Sequence, residues 1–125
     1  MSKGLIRTGF HEDLKLGQEV EGHLANILQE GGDTIEVKSD KRASQTGNIY
    51  VELTYKGKPS GITKSKAKWW VYEIDGRYFI LPLKEMKALA KRAIIEGKVT
   101  RGGDFNATEG ALVPVEWLVF RERSA

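Results

Sequence analysis

The stretch T34-I-E-V-K-S-D-K-R-A-S-Q-T-G-N-I-Y-V-E-L-T-Y55 decides how this chain is read. Residues 34 to 40 and 48 to 55 alternate apolar with polar side chains and are rich in β-branched and aromatic residues, the signature of half-buried strands. The polar segment KRASQTG separates them. The pair reads as a hairpin carrying a long, basic, mobile loop. Side chains two apart on a strand share a face, so Glu36, Lys38 and Asp40 fall on one face, framed by Ile35 and Val37. Glu52 lies on the next strand between Val51 and Leu53. Closing the hairpin brings Asp40 and Glu52 towards each other, and two carboxylates at close range repel unless a cation lies between them.

Upstream, Phe10, Leu14, Gly17, Val20, Leu24, Ile27 and Leu28 recur at helical spacing until Gly31-Gly32, which predicts a first helix over roughly 11 to 30. On a helical wheel Glu21 falls inside the apolar face and Glu19 among the solvent positions. A carboxylate on a core-facing side needs a metal, a basic partner or a functional site, unless it merely lies at the rim. Downstream, residues 68 to 74 and 77 to 81 predict a second hairpin, closed by the two-residue turn Asp75-Gly76. Leu83, Met86, Leu89, Ala90, Ala93 and Ile94 form one face of a helix over roughly 83 to 96, entered through Pro82 and ended at Gly97. The tail is a Gly-rich loop and an apolar run broken by Pro114, which has no clear periodicity. The order α, β, β, β, β, α and a closing element predicts a small α/β (α+β) fold with a mixed sheet, in one domain over residues 1 to 125.

Composition narrows the chemistry. The 125 residues hold no Cys, which excludes disulfides, thiol catalysis and Cys-based zinc sites. The two His, His11 and His23, read as surface residues rather than a zinc pair. Asp and Glu oxygens without His or Cys suit a hard ion, Mg²⁺ or Mn²⁺. With neither an apolar leader nor a membrane-length apolar run, the expectation is a soluble, cytosolic protein with no membrane contact. Net charge is +3, unevenly spread: residues 1 to 37 carry 3 basic and 7 acidic side chains, 38 to 68 carry 8 and 2, and 69 to 125 carry 9 and 8. Lys56, Lys58, Lys64, Lys66 and Lys68 follow one another with no acid between Glu52 and Glu73. Such a run faces a polyanion or simply solvent.

A helix with Gly17-x-x-x-Glu21, an Asp ending one strand (Asp40) and, twelve residues on, a Glu in the next strand (Glu52) resembles the PD-(D/E)XK nucleases, most closely the archaeal-type Holliday junction resolvases. The stretches EVKSD, TGNIYVE, KPSGI and KWWVY are also similar to small phage-encoded members of that superfamily. The resemblance covers residues 17 to about 83. It implies a restriction-endonuclease-like α-β-β-β-α-β core with a mixed central sheet, acting in the cytoplasm of a host cell if phage-encoded. It further implies that Asp40, Glu52 and the carbonyl of Leu53 hold Mg²⁺, or Mn²⁺ in its place, with Glu21 binding a second metal or orienting water. The family's lysine, two residues after the second acid, falls on Thr54. Lys38, on the Asp40 face, is the candidate to supply the ammonium, with Lys56 the weaker one. The implied products are a 5′-phosphate and a 3′-hydroxyl.

A literal E-x-K, Glu36-Val37-Lys38 with Asp33 before it, competes as a motif. Three residues cannot form the turn that sets Asp33 and Glu36 on neighbouring strands, and within one strand they point to opposite faces. Lys41, Arg42, Lys56, Lys58, Lys64, Lys66 and Lys68 flank the preferred site and would position phosphates without reading sequence. Symmetric cutting of a four-way DNA junction needs two active sites, so a resolvase is expected to be a two-fold homodimer. Trp69 and Trp70 are expected on opposite sides of a central strand, both in the core, whereas Trp117 and Phe120 are interface candidates. Two other classes fit the same residues: a restriction- or repair-like endonuclease, and a non-catalytic nucleic-acid-binding protein.

Overall fold

The computed structural model describes residues 34 to 119, together with Gly22, Asn26 and Ile27, which are helical. The rest of the first expected helix, Glu21, Asp33, both histidines and Phe120 lie outside the described residues. Two sheets form. The first has the order β1-β4-β5, with β1 (Ile35–Ser39) parallel to β4 (Trp69–Ile74) and β4 antiparallel to β5 (Arg77–Pro82). The second is wholly antiparallel, in the order β3-β2-β7-β6, from β2 (Asn48–Tyr55), β3 (Lys58–Pro59), β6 (Val99–Gly102) and β7 (Thr108–Pro114). With α1 (Ala43–Thr46), α2 (Leu83–Ile95) and α3 (Val115–Val119), this is an α+β arrangement of one mixed and one antiparallel sheet.

The expected hairpin of 34 to 40 with 48 to 55 does not form. β1 pairs with β4 in the register Glu36↔Trp70 and Lys38↔Tyr72, while β2 enters the other sheet. The reason lies in the connection, which is an ordered helical turn rather than a mobile loop. Asp40 leads into it by accepting the backbone N–H of Arg42 at 3.1 Å. Ala43 is buried beneath it, and Gly47, at φ 78°, ends it with an N–H to Ala43 O of 2.8 Å. One turn of helix redirects the chain, where a hairpin loop would have folded it back alongside β1.

Other expectations hold. Asp75 and Gly76 both take positive φ, 50° and 79°, and close the β4–β5 hairpin. Helix α2 follows Pro82, and of its expected apolar face Met86, Leu89, Ala90 and Ala93 are buried, Leu83 is half-buried and Ile94 is exposed. Gly97, at φ 77°, ends it, and the N–H of Lys98 returns to Ala93 O at 2.8 Å. The tail supplies β6, β7 and α3. Pro114 closes β7, at the last rung of its pairing with β2, where a missing N–H costs the ladder least.

One hydrophobic cluster draws on both sheets and on α2. Its fully buried members include Ile49, Val51, Trp70, Tyr72, Leu81, Met86 and Val113, and each large apolar side chain so buried stabilises the fold by about 1.5–3 kcal/mol before entropy is counted. Trp70 is in this core and Trp69 is half-buried on β4. Trp117, expected as an interface candidate, is largely buried within the chain: only 8% of its surface is exposed, and the guanidinium of Arg92 lies 3.7 Å from its ring centroid.

Candidate active site around Asp40 and Glu52

Strand β2 carries the candidate site because one of its edges is covered only in part. β7 pairs along its whole length, whereas β3 reaches only Thr54 and Tyr55 on the other side. A sheet edge buried next to a second sheet must still satisfy its N–H and C=O groups. At Tyr50 it does so with side chains. The Asp40 carboxylate accepts the Tyr50 N–H at 2.9 Å, and the Tyr72 hydroxyl donates to the Tyr50 carbonyl at 3.5 Å. Asp40 also donates its own N–H to Glu73 O on β4 at 3.3 Å. Asp40 is therefore held from three sides, half-buried, at the junction of the two sheets.

Glu52 lies two residues along β2 and is fixed by a different segment. The Ser60 hydroxyl donates to its carboxylate at 2.7 Å, and the Ser60 N–H donates to Leu53 O at 3.0 Å. Gly61, at φ 53°, packs directly on the Glu52 backbone, and a Cβ there would run into the Glu52 carbonyl. A register shift between Glu52 and Thr54 makes room for this Ser60-Gly61 turn. That this turn grips Glu52 is a tertiary fact.

The other sequence candidates divide. Lys38 shares a face with Glu36, Trp70 and Tyr72, and its ammonium lies 3.3 Å from the Glu36 carboxylate and 5.8 Å over the Trp70 ring. The hydroxyl of Thr54 donates to Glu109 at 3.1 Å. Lys56 stands in a left-handed turn with its ammonium 5.4 Å over the Tyr55 ring, towards the far end of β2. Lys41 and Arg42 are exposed just after Asp40, and Lys58, Lys64, Lys66 and Lys68 are exposed on the segment that surrounds Ser60. Two residues were missed in sequence reading. Tyr72 was one more aromatic of a strand, yet its phenol is buried beside Asp40 and Glu36; burial first, then those two negative charges, push its pKa far above the ordinary value. Tyr50 was a strand residue, yet its ring lies across Gly110 and Gly102 and its hydroxyl meets that of Thr108 at 2.7 Å.

For a hard cation the described residues offer two carboxylates near one strand and the Leu53 carbonyl, which already accepts one N–H. Among the described residues no three acidic or His side chains converge. The donor chemistry fits Mg²⁺, since carboxylate and carbonyl oxygens are its ordinary ligands. Comparison with protein-family models, curated proteins and solved structures gives no match to this chain.

Proposed function

We propose that this protein is a divalent-metal-dependent endonuclease of the PD-(D/E)XK type that cuts branched DNA, acting as a Holliday junction resolvase. The observation that carries the reading is the bond from the Tyr50 N–H to the Asp40 carboxylate, which fastens one candidate acid to the strand that bears the other. Asp40, Glu52 and the Leu53 carbonyl would hold the cation, with Glu21 as the further acid. Mg²⁺ bound there would supply Lewis acidity and an acidified water for phosphodiester hydrolysis.

In this reading the chain's own groups do the positioning. Ser60 keeps Glu52 oriented, and Asp40 keeps β1 against β2. Lys38, restrained by Glu36, offsets negative charge on the phosphate as it is attacked. Lys41, Arg42, Lys58, Lys64, Lys66 and Lys68 bind flanking phosphates without base contacts, which favours recognition by shape. Two copies related by a two-fold axis would make the paired cuts that resolve a four-way junction. No helix among the described residues is long and apolar enough to cross a membrane.

The test is cleavage of a labelled four-way junction beside a linear duplex of the same sequence, with Mg²⁺ and with EDTA. Symmetric nicks, confined to the junction and dependent on Mg²⁺, support the resolvase; equal cutting of both substrates makes it a general endonuclease. Binding without cutting under any metal favours a second reading, a nucleic-acid-binding protein that has lost the chemistry. Two features favour that second reading: the Leu53 carbonyl is engaged, and Thr54 stands where the resembled family has its lysine.

A further inference from the structure

Phe105 stands at the tip of the β6–β7 connection with its side chain wholly exposed, at 103% of its reference surface. Water is a poor environment for a whole phenyl ring, and the backbone beneath it is also costly. Phe105 takes φ of 58°, the left-handed region that a residue with a Cβ enters at a steric penalty, and Asn106, which tolerates it better, follows at 52°. The tip is nevertheless pinned: Asn106 N–H bonds Gly103 O at 3.2 Å and Ala107 N–H bonds Asp104 O at 3.1 Å. Ordered backbone therefore holds an aromatic ring out in solvent.

The surroundings say what that ring is for. The Lys56 N–H bonds Ala107 O at 2.7 Å, so the basic β2–β3 turn and the Phe105 tip share one end of the antiparallel sheet. At that end stand exposed Tyr55, with the Lys56 ammonium over its ring, together with exposed Lys58 and Arg101. The acids there are Asp104 and Glu109, and Glu109 is taken up by Arg101 at 3.9 Å and by Thr54 at 3.1 Å. Exposed aromatic rings among cations fit a ligand with flat apolar faces strung on a polyanion, which describes unpaired nucleotides. Bases within an intact duplex bury their faces against one another; at a gap or a branch point a face becomes available.

We propose that Phe105 is a stacking platform for an unpaired or unstacked DNA base, with Lys56 and Lys58 on the adjoining phosphates. The proposal rests on the chain binding DNA, as read above, but not on its cutting DNA. This platform adds a preference for DNA with an accessible base face, branched or gapped, to whatever the phosphate contacts of the lysines contribute.

The test is fluorescence anisotropy of the full chain in EDTA, with labelled intact duplex, the same duplex carrying a two-nucleotide gap, and a four-way junction. Wild type should favour the gapped and branched DNA. Phe105→Ala should weaken binding to both by about tenfold, a conventional 1.4 kcal/mol, and change intact-duplex binding less than twofold, with an unaltered melting temperature. Phe105→Trp should retain the preference and show added fluorescence that is quenched by gapped DNA and not by duplex. Equal loss on all three DNAs, no loss on any, or a wild type without preference overturns the proposal. Retained Phe105-dependent selectivity in a protein that never cuts sinks the nuclease reading alone, and cutting that ignores Phe105→Ala sinks the platform alone.

Discussion

The carboxylate of Asp40 accepts the backbone N–H of Tyr50 at 2.9 Å, and so joins the end of a strand in one sheet to the open edge of a strand in the other. The same carboxylate holds the N–H of Arg42 at 3.1 Å and leads into the helical turn between them. One side chain thus has an architectural duty and a proposed catalytic one, and substitutions can separate the two.

Asp40→Ala leaves two backbone N–H groups without their acceptor, a loss expected to cost about 1–3 kcal/mol. Asp40→Asn keeps a carbonyl oxygen for one of them and should lose less stability. Both should abolish Mg²⁺-dependent cleavage of a junction. Urea midpoints give the first quantity and single-turnover cleavage the second; an Asp40→Asn protein that folds and cuts normally contradicts the site assignment.

Glu52→Ala should remove cleavage while junction binding persists in EDTA. Ser60→Ala deletes the hydroxyl that donates to Glu52 at 2.7 Å, and loosening a carboxylate in this way should lower the cleavage rate by about 10- to 100-fold. The Mg²⁺ concentration for half-maximal rate should rise in Ser60→Ala, a shift that a purely structural hydroxyl would not produce. Rescue by Ser60→Thr would support the positioning role.

Gly61→Ala meets both a left-handed backbone and the Glu52 carbonyl. We expect a loss of about 3 kcal/mol or more, in the range where backbone strain and overpacking act together. The variant should unfold at markedly lower urea than Gly57→Ala, whose Cβ would enter open space despite its own positive φ of 78°.

Tyr72 gives the fold an alkaline limit. Its pKa is raised by burial and by Asp40 and Glu36, so the folded state keeps its proton where the unfolded chain, with a phenol near the ordinary value of about 10, gives it up. The stabilisation is complete below about pH 10 and falls away as pH rises above it. Tyr72→Phe should flatten that part of the curve, with a loss of about 1 kcal/mol at neutral pH for the bond to the Tyr50 carbonyl. Stability measured from pH 7 to 11 on both proteins checks it.

Trp117→Ala should destabilise by about 3–5 kcal/mol, as removal of a buried aromatic does. It should leave the oligomeric state of the folded protein unchanged in sedimentation, because the ring packs within the chain beneath Arg92.

Local signals carried the parts of this fold that sequence reading recovered. Asp75-Gly76 dictates a tight hairpin through two positive φ angles, and the stripe from Met86 to Ala93, bracketed by Pro82 and Gly97, dictates α2. The strands β1 and β2 were equally legible as strands. Their partners were not, since the alternation of Ile35, Val37, Ile49 and Val51 sets which face of each strand is buried and not which strand lies beside it. The tail was opaque because Gly110 and Ala111 have little strand propensity of their own; pairing with β2 on one side and β6 on the other makes them a strand, with the Tyr50 ring lying over Gly110.

The candidate site shows the same division. By itself the sequence determined that residues 35 to 39 and 48 to 55 are strands, that no cysteine is available, and that a run of lysines follows Glu52; the hairpin it predicted between Asp40 and Glu52 does not form. Tertiary structure alone decided that Asp40 reaches the backbone of β2 instead of a side chain across a hairpin, that Ser60 and Gly61 clamp Glu52, and that Lys38 leans on Glu36. Residue types and spacings are fixed by the chain, but which edge stays open and which buried N–H groups need an acceptor depend on how two separate sheets meet.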